Sequence, residues 1–160
     1  DFASDGFVDS VYNVLSSTDV KPQNLHLEIT ERLLMVHPEQ AKEALEMCRK
    51  AGMNISIDDF GTGYSSLSYL HHFPIDTLKI DQAFVRQMTE DAKVKALVKT
   101  IIQLGKSMEL KIIAEGAESL EEAHTLKALG CDMVQGYYFA KPMAEDDVIE
   151  LIRNTKSFDI

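Results

Sequence analysis

Two adjacent carboxylates follow a short apolar run near the middle of the chain. Asp58 and Asp59 come directly after residues 55–57, which are typical of a buried strand, so we expect both carboxylates at its carboxyl end. One of them could serve as a helix N-cap, and the sequence leaves that alternative open. Capping does not explain the second carboxylate. Adjacent negative charges repel and lose hydration unless a cation lies near them, and a divalent metal ion is the simplest such partner.

Polar side chains also follow the other strands that the sequence predicts, each at or just past the carboxyl end of its strand. This set comprises Glu28, Asp58, Asp59, Lys79, Asp81, Glu115 and Gln135. Active sites are built at that edge of the sheet both in (β/α) barrels and in open α/β folds. Carboxylates without a set of Cys and His ligands favour Mg²⁺ or Mn²⁺ over zinc. Several carboxylates around two such ions are suited to phosphodiester hydrolysis, because the metals acidify a water and neutralise the phosphate.

Alternating helical and strand periodicities predict the elements that position these residues. Strands are predicted at 25–29, 55–57, 77–81, 110–114 and 132–136, and helices at 4–16, 38–50, 67–72, 94–108, 120–129 and 146–153. Thr30 and Glu31 are expected to begin a loop. Gly61 and Gly63, on either side of Thr62, predict a tight turn with positive φ but lack the third glycine of a dinucleotide-binding fingerprint. The fold class is therefore α/β, with a parallel sheet covered by helices.

Composition restricts the partners of this chain. Its 160 residues carry a net charge of −10, which argues against binding of a nucleic-acid polymer through a basic surface. Cys48 and Cys131 lack the spacing of metal ligands and predict free thiols in a reducing, cytoplasmic compartment. We find no transmembrane run and no signal peptide. Because the chain opens with Asp1 inside a helical pattern, we expect it to be a fragment of a longer protein.

Five segments, in order and in spacing, resemble the motifs of the EAL domain, a family of bacterial phosphodiesterases that open cyclic di-GMP to linear pGpG. They are LEITE at 27–31, DDFGTGYSSL at 58–67, LKID at 78–81, AEGAE at 114–118 and QGYYFAKP at 135–142. The second segment is highly specific, and the resemblance covers nearly the whole chain. It implies a TIM-barrel-like (β/α) fold and a site for two Mg²⁺ or Mn²⁺ ions.

The resemblance also implies a role for each matched residue. The implied metal ligands are Glu28, Asp58, Asp59 and Glu115, with Asp58 bridging the two ions. The other implied site residues are Lys79 at the catalytic water, Gln135 near the water or metals, Glu31 as the anchor of the loop that includes Gly61, Thr62 and Gly63, Glu118 as a support for that loop or for Glu115, and Asp81 as the residue that positions Lys79.

Two metal ligands of the family are absent, namely the Glu of the Glu-Ala-Leu motif and an Asn on the following strand. Residues 1–160 are therefore expected to be the C-terminal portion of one EAL domain, an incomplete barrel with about strands four to eight. We expect this fragment alone to be inactive. Its open sheet edges predict a homodimer or a swapped assembly. The parent protein is expected to supply the first strands, with room for a sensor or GGDEF-type domain and a membrane anchor before them.

Two functions remain open for the parent protein. The first is a metal-dependent cyclic di-GMP phosphodiesterase, which every matched site residue favours. The second is a non-catalytic cyclic di-GMP receptor in which one of the two unseen ligands has been lost. A purely structural domain fits poorly, because it leaves the acidic cluster without a counter-charge.

Overall fold

The computed structural model describes residues 6–61, 70–155 and 157–158. Helices and strands alternate through these ranges. The helices are α1 (Phe7–Ser17), α2 (Glu31–Val36), α3 (Pro38–Lys50), α4 (Gln82–Gln87), α5 (Ala92–Ser107), α6 (Leu120–Leu129) and α7 (Glu145–Asn154), with a short 3₁₀ helix at Pro22–Asn24. The strands are β1 (His26–Thr30), β2 (Asn54–Phe60), β3 (Thr77–Ile80), β4 (Lys111–Ala114) and β5 (Met133–Val134).

The strands form one parallel sheet in the order β1-β2-β3-β4-β5. Thr30 lies opposite Asp58, and Lys79 lies opposite Ile113, so the carboxyl ends of neighbouring strands come together at one rim. Each strand lies beside the strand that precedes it in the chain. Crossovers between parallel strands are right-handed, so this order places the helices on one side of the sheet, as in a barrel wall. The predicted α/β fold with a parallel sheet is confirmed.

Apolar residues from the sheet and from the covering helices form the core. All four residues of β3 are buried, which fits the place of this strand in the middle of the sheet. The side chains of Ile57, Leu78 and Ile112 are completely buried and continue this core across neighbouring strands. This packing provides the fixed base from which the residues at the rim project.

Two short helices were not predicted from the sequence. The expectation that Thr30 and Glu31 begin a loop is wrong, because Thr30 ends β1 and Glu31 starts α2. The other helix that was not predicted is α4. It follows β3 directly, and its N-cap is Asp81. Six-residue helices carry fewer than two turns of apolar periodicity, so the pattern that identifies longer helices is absent from them. The first half of the helix predicted at 67–72, residues 67–69, lies outside the described residues.

Both cysteines are free thiols, as predicted, with Cys48 buried and Cys131 partly buried. None of the helices in the described ranges combines the length and the apolar character that crossing a lipid bilayer requires.

Candidate active site

Lys79 lies at the centre of an acidic cluster at the carboxyl rim of the sheet. Its Nζ atom is 2.8 Å from Oε1 of Glu28 and 2.7 Å from Oε1 of Glu115. Asp58 Oδ1 is 3.3 Å from the same Nζ atom. These carboxylates belong to β1, to β2 and to the residue after β4, and the side chain of Lys79 is only 7% exposed. The parallel register therefore brings together four residues that are far apart in the sequence.

The charge of Lys79 is balanced by carboxylates on three sides. Burial by itself would lower the pKa of the ammonium group, but hydrogen bonds to Glu115 and Glu28 and the charge of Asp58 outweigh it. The pKa of Lys79 therefore lies above its usual range, and the side chain stays protonated at neutral pH. In this structure Lys79 supplies one positive charge against three carboxylates and so offsets only part of the negative charge of the cluster.

The two adjacent aspartates lie where the pairing of β2 with β3 is irregular, between Ile57 and Phe60. Asp59 has φ 53°, in the left-handed region that Asp tolerates better than most residues, and its N–H donates to Oδ1 of Asp58 at 3.0 Å. Irregularities of this kind re-aim side chains at sheet rims. Partial loss of hydration, followed by the charges of Asp58 and Asp81, raises the pKa of Asp59. The N-cap alternative depends on residues 62–69, which lie outside the described ranges.

Asp81 and Glu118, the two residues that were expected to support the site, each make a further contact outside the acidic cluster, and their supporting roles stay predictions. Asp81 Oδ1 accepts a hydrogen bond of 2.8 Å from the N–H of Ala83 and so caps α4. The ion pairs of Lys79 in the described part of the chain do not include Asp81, so a direct contact through which Asp81 would position Lys79 is not observed. Glu118 forms an ion pair with Arg86, with Oε1 2.5 Å from Nη2.

Glu31 connects α2 to the turn that follows the aspartate pair. Its Oε2 atom accepts a hydrogen bond of 3.0 Å from the N–H of Gly61, and the residue is only 3% exposed. Gly61 has φ 96°, as predicted for a tight turn. The Oε1 atom of Glu31 is buried and has no hydrogen-bond partner among the described residues. Thr62 and Gly63, the other predicted loop residues, lie outside those residues.

Gln135 follows β5 and is exposed beside the acidic cluster. Its N–H donates to the carbonyl of Ala114, and its own carbonyl accepts from the N–H of Ala117, so both backbone groups are paired. The side chain lines a polar cleft together with Gln82, Arg86, Glu115, Gly116, Glu118, Gly136 and Tyr137.

Sequence reasoning missed Arg86. The signal that could have found it is a basic residue in the first helix after a strand of the rim.

The chemistry of the donor set fits a hard divalent cation. Glu28, Asp58 and Glu115 already converge on one cationic atom, and carboxylate oxygens are the ligands that Mg²⁺ and Mn²⁺ prefer. Within the described ranges, however, no group of three or more His, Cys, Asp or Glu residues is placed to hold a metal ion by itself. The residues present therefore have the right chemistry for a metal site but form only part of its geometry.

Comparison with known proteins identifies the family. The sequence model of the EAL domain matches residues 1–142. The bifunctional diguanylate cyclase/cyclic di-GMP phosphodiesterase MucR of Pseudomonas aeruginosa is 41% identical over 148 residues, covering 92% of this chain and 22% of MucR. The cyclic di-GMP phosphodiesterase NbdA of the same species is 37% identical over 146 residues, covering 91% of this chain and 19% of NbdA.

Solved structures agree with this fold. The PaMucR phosphodiesterase in complex with c-di-GMP superposes with a TM-score of 0.88 at 41% identity, covering 92% of this chain and 60% of that one. The manganese/cy-diGMP complex of Klebsiella pneumoniae BlrP1 superposes with a TM-score of 0.80 at 31% identity, covering 88% of this chain and 36% of that one.

This chain thus spans about a fifth of the length of the curated relatives that it matches. The family match nevertheless takes in most of its residues, and the fold agrees with solved EAL structures. The chain belongs to the EAL domain family.

Proposed function

We propose that this chain is the C-terminal portion of an EAL domain that hydrolyses cyclic di-GMP to linear pGpG with Mg²⁺ or Mn²⁺. The observation that carries the proposal is the convergence of Glu28, Asp58 and Glu115 on Lys79 at the carboxyl rim. Two relatives named cyclic di-GMP phosphodiesterases and the cyclic di-GMP complexes of similar structures support the choice of substrate.

Glu28, Asp58, Asp59 and Glu115 would hold the metal ions in the complete site. Complexes of BlrP1 with calcium and with manganese support a divalent metal. When bound, two such ions acidify a water and neutralise charge on the phosphate. Because the described residues do not form a metal site by themselves, we propose that the complete domain adds further ligands.

Lys79 would contribute a fixed positive charge where the attacking water meets the phosphate. Its side chain is almost fully buried and is held by several carboxylates, so it loses little conformational freedom when substrate binds. Gln135 would contribute a polar side chain beside the same point. Glu31 would act indirectly, because its hydrogen bond to Gly61 holds the start of the loop after Asp59. In this proposal Asp81 orients α4 rather than Lys79.

We propose that further strands complete the barrel between β5 and β1. In the described part of the chain, each of these two strands pairs with a single neighbour, so each presents an edge of unpaired backbone groups. The complete domain, a homodimer or a swapped assembly would cover these edges. The isolated chain is expected to be inactive, and the free thiols and nucleotide substrate favour a cytoplasmic site of action.

The proposal is tested by assaying pGpG formation by the complete protein from which this chain comes, with Mg²⁺ or Mn²⁺ and after removal of the metals by EDTA. We expect hydrolysis that requires metal. Lys79→Met should reduce kcat at least about 100-fold, which is a typical contribution of a side chain that assists proton transfer or orients the attacking water in the transition state.

Lys106→Met is the matched control, because Lys106 pairs with Asp132 near the amino ends of the strands, away from the rim. It should retain activity. A complete protein that binds cyclic di-GMP but yields no pGpG under any of these conditions would refute the enzyme and identify a receptor.

A further inference from the structure

A polar cleft of about 230 Å³ adjoins the acidic cluster at the rim. Glu115 belongs to both, because it lines the cleft and is also 2.7 Å from Lys79. The other walls come from α4, from the segment between β4 and α6, and from the residues after β5. A ligand whose reacting group lies at Lys79 would therefore extend into this cleft.

The charges that line the cleft are unevenly distributed. Glu115 and Glu118 are acidic, and Arg86 is the cation among the described lining residues. The chain as a whole carries a net charge of −10. A ligand with two phosphate groups is repelled by such a surface unless cations meet its oxygens. The charge of Lys79 is already balanced by three carboxylates, so the cleft needs another cation to accept a phosphate.

Arg86 is presented to the cleft by a well-defined local structure. Asp81 caps the helix that carries it, and Gly116 packs so closely on that helix that an added Cβ would lie 2.4 Å from Cβ of Gln82. On the opposite wall, Oε2 of Glu122 accepts hydrogen bonds of 2.7 and 2.9 Å from the N–H groups of Glu118 and Ser119. The backbone that carries Glu118 is therefore held in place on the segment facing Arg86.

The ion pair between Arg86 and Glu118 leaves part of the guanidinium free to bind a ligand. Glu118 accepts from Nη2, and the side chains are 52% and 47% exposed. A guanidinium carries five N–H donors, and Glu118 is its ion-pair partner within the described ranges. An exposed pair of this kind contributes little to stability, so its stabilising effect alone does not account for its place in the cleft.

We propose that Arg86 is a substrate-binding residue that donates hydrogen bonds to a phosphate of cyclic di-GMP, with Glu118 as the residue that positions its guanidinium. This inference rests on the proposed function, because it takes cyclic di-GMP as the ligand. A planar guanidinium matches the paired oxygens of a phosphate, and charge-assisted hydrogen bonds are the stronger class.

The test compares Arg86→Gln, Arg86→Lys and Glu118→Gln in the complete protein, with cyclic di-GMP as the ligand and with both the Kd and the steady-state constants measured. We expect Arg86→Gln to raise Kd and KM about tenfold, the effect of losing one charge-assisted hydrogen bond at a partly exposed site, while kcat changes less than threefold. Arg86→Lys and Glu118→Gln should give smaller increases. Added salt should weaken binding by the wild type more than binding by Arg86→Gln. Salt screens the attraction between the guanidinium and the phosphate, and the variant lacks this contact.

Arg49→Gln is the matched control. Arg49 is equally exposed at 52% and pairs with Asp76 at 3.6 Å, but it does not line the cleft. Equal Kd and KM values for Arg86→Gln and Arg49→Gln would overturn the role of Arg86. A wild type that binds without cutting would refute the phosphodiesterase only, and Kd would then decide the role of Arg86. A wild type that does neither would refute both.

Discussion

Gly136 is the position where the smallest change should have the clearest structural effect. The residue lies where the segment after β5 crosses the segment after β4. A Cβ added at Gly136 would lie 2.0 Å from the carbonyl oxygen of Ala117, 2.4 Å from its nitrogen and 2.7 Å from its carbonyl carbon. All three atoms are backbone atoms, so no side chain can rotate away. Gly136→Ala must therefore displace one of the two segments.

The cost of this displacement follows from the contacts that it disturbs. The N–H of Ala117 donates to Gln135 at 3.1 Å, and the carbonyl of Ala117 accepts from the N–H of Tyr138 at 3.0 Å. Overpacking costs about 1–3 kcal/mol, and each weakened hydrogen bond adds about 1 kcal/mol. We therefore expect Gly136→Ala to lower the free energy of unfolding by about 3–5 kcal/mol. For a domain of this size the melting temperature should fall by about 6–20 °C.

Thermal and urea unfolding followed by circular dichroism measure this effect, with Gly130→Ala as the control. Gly130 has φ 91° but no atom within 4 Å of an added Cβ, so its replacement carries only the backbone strain of about 1 kcal/mol. If Gly136→Ala destabilises the protein no more than Gly130→Ala, the result would refute the close approach of Gly136 to the backbone of Ala117. Because Gln135 precedes Gly136, the proposed hydrolysis of cyclic di-GMP by the complete protein should fall as well.

Three further predictions follow from individual contacts. Glu31→Ala removes the acceptor of the Gly61 N–H, so hydrogen exchange at that amide should become at least tenfold faster. A tenfold change corresponds to a loss of about 1.4 kcal/mol in the free energy that protects the amide. Burial raises the pKa of the Cys131 thiol from 9.0 to about 11, so at pH 8 it should react with iodoacetamide about 100-fold more slowly than an ordinary thiol. Although burial opposes it, the hydrogen bonds from Lys106 and the Ile112 N–H lower the pKa of Asp132 below its ordinary value of 3.8. The stabilising effect of this carboxylate should be present above that ordinary value and should be lost as the pH falls through the lowered pKa.

Each of these predictions has its own control. The exchange rate of the Glu122 amide, which donates to Ser119, should not respond to Glu31→Ala. Cys131 should react at an ordinary rate once the chain is unfolded in urea, and fast labelling of the folded protein would contradict its burial. Asp132→Asn should remove that part of the acid dependence of unfolding, and an unchanged pH profile would show that the carboxylate is not held by Lys106 and the Ile112 N–H.

The candidate site illustrates how far sequence reasoning reaches. Placing Glu28, Asp58, Lys79 and Glu115 at one rim needed only the positions of the strand ends and the fact that carboxyl ends of parallel strands lie together. The helix Leu120–Leu129 was also predicted at its observed limits, because the Gly at its C-terminus is a strong local signal. Such features depend on neighbouring residues in the chain or on a simple topological rule.

Asp81 and Arg86 show where this reasoning stops. The family resemblance implied that Asp81 positions Lys79, which stays a prediction, and only the structure shows that Asp81 caps α4. The same short helix carries Arg86 to Glu118, which lies 32 residues further along the chain. A six-residue helix leaves too little periodicity to predict, and the direction of a side chain depends on packing against distant segments.

By itself, the sequence determined the α/β class, the alternation of strands and helices along the chain and the residue types at the rim, because periodicity and turn residues act locally. Only the tertiary structure decided that Lys79 balances three carboxylates, that Glu31 holds Gly61 and that Arg86 faces the same cleft as Glu115. These contacts depend on strand register and on the close crossing at Gly136. Both are fixed by packing between residues that are distant in the chain.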